Sequence, residues 1–591
     1  MCGIHLIWGK GANEEAIKTL MESAAHRGPD QSASYSPWPG LWLGVNRLKI
    51  LHPGPDADQP FWSPDGRSLL IWNGEIYNYK ELRDLLQKMG VSFLTHSDTE
   101  VVLHWLRIFG AKGLEKLQGM FALAYVDLSA QQVLVARDKN GEKPLYFMQT
   151  QETFILSSES RGIAKLTQKK LDQYQLDYYF YLRTPQPGRT FYKGIKEWKP
   201  SRFSEIKQHS AFRWDNIPQL AQKELPQNRE SFKKLLQKAI EKQFHAEAPV
   251  GMMLSGGADS SLLYALWYRS SGRALPTYTI QSEKKHASKY ADGNFSASFA
   301  KQFPMEHHLI PVDEEVFLRH LEDYLMSLDF PVGDSASFLT WLIGHSAKED
   351  VKVMISGAGA DELWGGYQRH RAFDQYLQYQ EPLLVLQPLL RSLPLGRKWK
   401  KFFEGIDKDP RRTFLNFSAL QAIPQDLFTD YERVFDQKLP RYKQMLDFDR
   451  QVYLVQDVLK IQDNALMAHG IEGRSPYLDE GLVQFWRSIE DDNVIKEKVW
   501  IKELLKELDL SWVAKRSKFG FGLPLQEWLS TEGPFTKKVF TSLKEFGQSH
   551  ESHFSPQVKA LLHHPEKHTT THFLTLYNMF ILGEWLKLQK L

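Results

Sequence analysis

Cysteine is all but missing from this chain: among 591 residues there is one, Cys2. An intramolecular disulfide framework is excluded, and a reducing compartment, the cytoplasm, is the expected location. Charge of one sign is missing too. Basic residues number 74 against 71 acidic ones, a net of +3 with histidine neutral. That balance calls for neither nucleic acid nor an anionic membrane as a partner. No long apolar run occurs. The most apolar stretch, Pro382 to Leu395, is broken by Gln387, Pro388 and Arg391 and cannot span a bilayer. The start, MCGIHLIWGKG, lacks the basic flank and sustained apolar core of a signal peptide. Internal repeats and long low-complexity tracts are absent. What remains is an ordinary globular composition, 13% aromatic and 25% charged, in a chain too long for one core.

The texture changes once along the chain. Short apolar runs separated by turn signals fill the first part: IHLIWG, LWLGVNRL, SLLIWNGE, FALAYVD, QVLVARD and FILSSE. Helices are expected near Glu14–Ala25, Lys80–Lys88 and Asp98–Phe109. The polar segment DNIPQLAQKELPQNRE follows Trp214 and reads as a linker. Beyond it, VGMMLSG, LPTYTI, HHLIPV and VKVMISG alternate with amphipathic helices, which implies a parallel sheet. From about Tyr431 the pattern reads as mostly helical. The expected domains are 2–215, a linker over 216–228, and 229–591.

Two places carry chemistry. Removal of Met1 would leave Cys2 with a thiol and a free α-amine, a nucleophile beside its own base, since the amine titrates at roughly 7.7–8. Small Gly3 lets the chain turn there. The second place is Leu254-Ser255-Gly256-Gly257-Ala258-Asp259-Ser260-Ser261, between a strand pattern and the helix SSLLYALWY. Two glycines let backbone N–H groups converge on an anion at a helix N-terminus, and the serine hydroxyls can donate. Asp259 would repel bare phosphate, which suggests Mg²⁺ as a bridge. No lysine follows the glycines, so this is not a Walker A loop. A plain strand-to-helix turn with a serine cap could use the same residues.

Here a resemblance enters. SGGADSS resembles the pyrophosphate loop of the ATP-pyrophosphatase superfamily. Ser356-Gly357-Ala358-Gly359-Ala360-Asp361-Glu362-Leu363-Trp364-Gly365-Gly366-Tyr367 is similar to a second signature of glutamine-hydrolysing asparagine synthetases. Asp463…Met467-Ala468-His469-Gly470-Ile471-Glu472-Gly473-Arg474-Ser475-Pro476-Tyr477-Leu478-Asp479 and Arg516-Ser517-Lys518-Phe519-Gly520-Phe521-Gly522-Leu523-Pro524 are similar to a third and a fourth, in family order. The implied fold is α/β plus α+β: an N-terminal-nucleophile layered β-sandwich flanked by helices, then a parallel-sheet ATP-pyrophosphatase domain with a helical C-terminal part. The implied function is glutamine-dependent, ATP-consuming amidation of a carboxylate through an acyl-adenylate, most simply aspartate to asparagine, with glutamate, AMP and pyrophosphate released.

The resemblance also implies roles. Cys2 attacks glutamine, while Asn73 and Gly74 form the oxyanion hole. Arg47 holds the glutamine carboxylate, and Glu75 and Asp98 its ammonium. Leu254 and Ile280 flank adenine. Ser255, Gly256, Gly257, Ser260, Ser261, Ser356 and Gly357 contact ATP, Asp259 holds Mg²⁺, and Lys518 neutralises the phosphates. His26-Arg27-Gly28-Pro29-Asp30 and Ser158-Glu159 match as architecture around the pocket. Read by themselves, Asn73-Gly74 is a turn dipeptide, Asp98 part of a helix start capped by Ser97, and Lys518 a surface lysine. The chain departs from the family at Ala358, where many members carry an acid and β-lactam-forming relatives a tyrosine. Alanine cannot accept a proton, and Glu472 is the candidate for a relocated acid–base role. A homodimer is compatible with this reading. The rivals are an amidotransferase of the same architecture acting on another carboxylate, such as a sugar acid or specialised metabolite, and a non-catalytic nucleotide-binding protein.

Overall fold

The computed structural model describes residues 2–207, 213–218, 225–283, 285, 292–393, 396–516, 520–550, 554 and 556–590. The first half is built from strands β1 (Cys2–Gly9), β2 (Gln31–Trp38), β3 (Leu41–Arg47), β4 (Phe61–Trp62), β5 (Ser68–Ile76), β6 (Gly119–Asp127), β7 (Gln132–Arg137), β8 (Tyr146–Gln149), β9 (Thr153–Ser157), β10 (Lys196–Glu197), β11 (Arg202–Lys207) and β12 (Asp215–Asn216). They form two six-stranded antiparallel sheets, ordered β10-β8-β9-β1-β3-β2 and β12-β11-β7-β6-β5-β4. Alternation along β1 sends Cys2, Ile4, Leu6 and Trp8 into the space between the sheets. There they meet Leu41, Leu43, Leu69, Ile71, Ala122, Ala124, Val133 and Val135. On the outer faces, helices Glu14–Ser23 and Ser160–Thr167 cover one sheet and Tyr79–Lys88 and Asp98–Phe109 the other. The result is the helix-flanked sandwich that the resemblance implies.

The second half holds β13 (Val250–Met253), β14 (Pro276–Ser282), β15 (Glu306–Val312), β16 (Val353–Ile355) and β17 (Glu472–Arg474), all parallel, in the order β15-β14-β13-β16-β17. The chain moves outward from β13 through β14 to β15, then returns to the other side of β13 as β16. The carboxyl ends of β13 and β16 therefore flank a topological switch point, where open α/β sheets bind ligands. The fifth strand is one the sequence pattern does not show. Three residues, EGR, are too short to display a period, and they lie in a region that reads as helical.

The halves are fastened by buried polar groups as well as by apolar packing. One apolar cluster runs from Ile7, Ile17 and Met148 of the sandwich to Phe317, Phe338 and Trp341 of the second half. Asp329 accepts from the Ser160 amide at 2.9 Å, the Ser160 hydroxyl at 2.8 Å and the Arg161 amide at 2.7 Å. It thus satisfies the open N–H groups at the start of a helix belonging to the other half. Arg27 reaches Asp463 at 2.8 Å. Glu197 accepts from Arg137 at 2.9 Å on its own side and from Gln456 at 2.7 Å across the boundary.

Arg474, wholly buried, joins both halves. It meets Glu472 at 2.8 Å, pairs with Glu75 of the sandwich, and donates to the carbonyls of Gln243 at 2.8 Å and His245 at 2.9 Å. Arg474→Met would strip two buried carboxylates of their cation. A loss of about 3–5 kcal/mol is expected, read as a lower urea midpoint of the full chain. The triple variant Glu75→Gln, Glu472→Gln, Arg474→Met should recover most of it, because no buried charge is then left unpaired.

Candidate functional site

Cys2 opens β1, with Arg47 of β3 as its register partner. The Cys2 N–H donates to Asn73 Oδ1 at 2.9 Å, and Gln59 Nε2 lies 3.8 Å from the sulfur. Gln59 is itself fixed, accepting from the Trp72 amide at 2.7 Å. Arg27 Nε contacts the Cys2 carbonyl at 3.4 Å. Asn73 is fully buried, and its Nδ2 has no acceptor. A buried amide with one end anchored and the other unspent is a donor waiting for an oxygen. The Asn73-Gly74 pair is not a turn: both residues lie inside β5. The reason for glycine is the approach of β6, since a Cβ at Gly74 would stand 2.3 Å from the Met120 carbonyl oxygen.

The other glutamine-pocket residues are spread less simply. Arg47 spends its guanidinium on Asp58 and on the carbonyls of His52 at 2.9 Å and Gly54 at 3.3 Å. It pins the 51–58 loop against the site, and a carboxylate from outside would have to compete with Asp58. Asp98 begins the helix Asp98–Phe109, with Ser97 as N-cap, and accepts from the Ile76 amide at 3.2 Å. Burial raises its carboxyl to about 7. Glu75 lies two residues from Asn73 on the same strand, but its carboxylate turns to Arg474 across the boundary. The structure gives it an arginine partner in place of the free position an ammonium ligand needs.

At the second place the strand-to-helix loop leads from β13 into the helix Ala258–Ser271. Gly256 has φ +63°, and a Cβ there would lie 2.6 Å from the Ser296 amide nitrogen, so glycine is required on both counts. The Ser255 hydroxyl lies 3.2 Å from that of Ser260 and accepts from the Gly257 amide at 3.2 Å. A cavity of about 500 Å³ opens over the carboxyl ends of the strands. Leu254, Ser255, Gly257, Asp259, Ser260, Ile280, Ser356 and Gly357 line it. Gly256 and Ser261 stand behind that lining, and Ser261 is fully buried.

The residue the sequence reading misses here is Lys498. It is buried, has φ +60° and reaches Asp259 at 2.5 Å and Asp361 at 2.6 Å. Burial opposes its charge, yet the two carboxylates outweigh that and hold the ammonium above its ordinary range. Lys498 thus ties the SGGADSS loop to the SGAGADE segment. EKVW has no local signature, and only the run of Trp500, Ile501, Leu504 and Leu505 behind it hints that this lysine faces inward. Lys518 lies outside the described residues. Its neighbour Arg516 donates to the Ser255 carbonyl at 2.8 Å and pairs with Asp292.

Glu472 is not where an acid–base group for the synthetase site would act. It sits at the amino end of β17, opposite Val353, whereas the cavity lies past the carboxyl ends. Burial tends to raise its carboxyl, but Arg474 wins and holds it below the usual range. The carboxylates that do line the cavity are Asp259, Asp292, Asp334, Asp361, Glu362, Asp457 and Glu497. Glu362 accepts from the Tyr367 hydroxyl at 2.6 Å. Arg183, Arg369 and Arg371 share the same wall, and Ala358 presents only a methyl group.

Comparison with known proteins agrees with this two-part layout. Residues 1–214 match the glutamine amidotransferase domain family and residues 231–587 the asparagine synthase family. The chain is 25% identical to asparagine synthetase (glutamine-hydrolysing) 1 of Bacillus subtilis, over 90% of this chain and 88% of that one. It is 26% identical to asparagine synthetase (glutamine-hydrolysing) 3 of the same organism, over 83% and 81%. The amidase chry2 of Gibberella zeae is 24% identical over 89% and 87%. With a glutamine amidotransferase domain joined to an ATP-dependent synthetase domain, this chain belongs to the glutamine-hydrolysing asparagine synthetase family.

Proposed function

We propose that the chain hydrolyses glutamine at Cys2 and passes the ammonia to a carboxylate activated by ATP, with aspartate as the acceptor and asparagine as the product. The observation that carries the first half is the unspent Nδ2 of Asn73 beside Cys2. With Met1 removed, the α-amine takes the thiol proton. The sulfur then attacks the glutamine amide carbon, and the oxyanion is met by Asn73 Nδ2 and the Gly74 N–H. Collapse, as the α-ammonium returns its proton to the leaving nitrogen, expels ammonia and leaves a γ-glutamyl thioester, which water cleaves to glutamate. Asp98 faces the substrate ammonium, and Arg47 its carboxylate once Asp58 is displaced.

In the second half the acceptor carboxylate oxygen attacks the α-phosphorus of ATP and pyrophosphate departs. Ammonia then attacks the acyl carbon and AMP leaves. Leu254 and Ile280 hold the adenine, the 255–260 loop holds the phosphates, and Lys498, Lys518 and Arg516 offset their charge. Among the described residues no three ligating groups converge on one point. The Lys498 ammonium bridges the carboxylates of Asp259 and Asp361, so a Mg²⁺ arriving with ATP would take Asp259 or Asp361 as Lys498 turns to the phosphates, keep phosphate and water ligands, and supply further charge neutralisation. Side chains of both signs line the cavity, Arg183, Arg369 and Arg371 beside Asp334, Glu362 and Asp457, which supports an acceptor that itself carries both charges, an amino acid. The methyl group of Ala358 favours the second reading, a different carboxylate that needs no acid at that position.

Cys2→Ala should abolish glutamine hydrolysis and spare synthesis from ammonium salts. Asn73→Ala should lower hydrolysis by about 10²–10³. Intact mass should show a chain starting at Cys2. Hydrolysis that survives Cys2→Ala would overturn the assignment. Asp259→Asn and Lys498→Met should each lower ATP–pyrophosphate exchange by at least about 10² with glutaminase activity kept. Exchange run across a panel of carboxylic acids identifies the acceptor. Exchange with another acid and none with aspartate would reject asparagine synthesis and retain the amidotransferase.

A further inference from the structure

The helix Gln380–Ser392 carries apolar side chains on two sides: Leu383, Leu384 and Leu390 pack against the core, and a second set faces outward. Not one of its residues is buried. The polar side chains that interrupt the apolar stretch, Gln387 and Arg391, turn toward the protein. Gln387 donates to the carbonyls of Phe403 at 2.9 Å and Ile406 at 2.7 Å. Arg391 donates to those of Phe403 at 3.1 Å and Glu404 at 2.9 Å. Together they satisfy the open C-terminal carbonyls of the next helix, Arg397–Gly405. Gln380, seven residues before Gln387 and so on the same face, meets Arg441 at 3.0 Å.

With the polar residues spent inward, the opposite arc is apolar. Val385 is 78% exposed, Leu389 63% and Leu386 48%. Leu393 follows at the same spacing, and Trp399 of the next helix stands 57% exposed beside the ridge. Large side chains left this open along one stretch of helix mark a contact surface. Charge says what kind. From 380 to 405 the sequence carries five cations, Arg391, Arg397, Lys398, Lys400 and Lys401, and two acids, Glu381 and Glu404; Arg391 and Lys401 donate to backbone carbonyls, and Lys400, 3.9 Å from Glu404, and Lys398 are exposed. A second copy meeting this face two-fold would set the exposed Lys398 and Lys400 against their own duplicates. A protein partner would need a groove shaped to the ridge, whereas a lipid surface needs none.

We propose that this ridge rests on an anionic lipid surface, with Val385, Leu386, Leu389 and Trp399 entering the headgroup boundary and Lys398 and Lys400 facing the headgroups. The contact is interfacial and needs no spanning segment. No helix among the described residues is long and apolar enough to cross a membrane. It is also independent of the function proposed above, since none of these residues lines the nucleotide cavity or touches Cys2.

The test is co-sedimentation of the full chain with vesicles of phosphatidylcholine alone and of phosphatidylcholine mixed equally with phosphatidylglycerol. The chain should pellet with the mixed vesicles, and should do so at least tenfold less with phosphatidylcholine alone or in high salt. Val385→Glu with Leu389→Glu, and separately Lys398→Glu with Lys400→Glu, should each lower binding tenfold or more at unchanged glutaminase rate, which reports folding. Three results would overturn the proposal: no binding by the parent chain, equal binding to both vesicle types, or binding that neither double variant reduces. Sedimentation velocity provides a fourth. A dimer that Val385→Glu with Leu389→Glu dissolves would assign the ridge to self-association instead.

Discussion

One buried guanidinium sets the terms for the rest of the molecule. Arg474 cannot sit in the interior without its carboxylates, and the two it uses come from different halves of the chain, Glu472 from its own strand and Glu75 from the sandwich. Separating the halves would take Glu75, whose carboxyl burial pushes up and Arg474 pulls back, from the guanidinium it shares with Glu472. That is the kind of penalty which makes docking obligatory where an ordinary interdomain surface would slide. The same residue also reaches the nucleotide side through its main chain, because the Arg474 carbonyl accepts from the Ser356 amide at 2.9 Å. Glu75 lies two residues from the amide that faces Cys2. The strand that borders the synthetase cavity and the strand that supports the thiol are thus joined through a single residue.

This arrangement explains why the structure departs from the sequence reading at Glu75 and Glu472. Both are charged residues in strongly patterned segments, and such segments carry chemistry elsewhere in the chain. Neither, though, is placed by its neighbours alone. Glu472 and Arg474 fall on one face of β17 by the two-residue period, and that face looks to the sandwich, away from the cavity. A sequence shows the period but not which half of the molecule lies on which side. Arg47 shows the same limit, because its link to Asp58 and the 51–58 loop depends on a return of chain that no local pattern announces.

Other parts were legible for a definite reason. Gly256 is dictated by its positive φ and by the approach of the Ser296 amide, and Gly74 by the approach of β6, so both constraints leave a mark on residue identity. The short apolar runs of β1, β5 and β6 in the sandwich and of β13 and β16 in the second half reflect strands covered on both faces of their sheets. β17 was hidden by its length. Lys498 was hidden because its partners Asp259 and Asp361 lie far away in sequence and meet only after the sheet has formed.

The Asp329 cap bears on the order in which the protein can be finished. The helix Ser160–Thr167 belongs to the half made first, yet the carboxylate that closes its amino end is encoded deep in the half made second. While synthesis is under way, that helix has its first amides open to water, and the sheet it covers is held by a loosely tethered lid. The early half can collapse by itself, as domains do on leaving the ribosome, but its surface near Ser160 stays unfinished. Arrival of the 329 loop completes it. A chain stopped short of that loop would lack the carboxylate that closes the amino end of this helix.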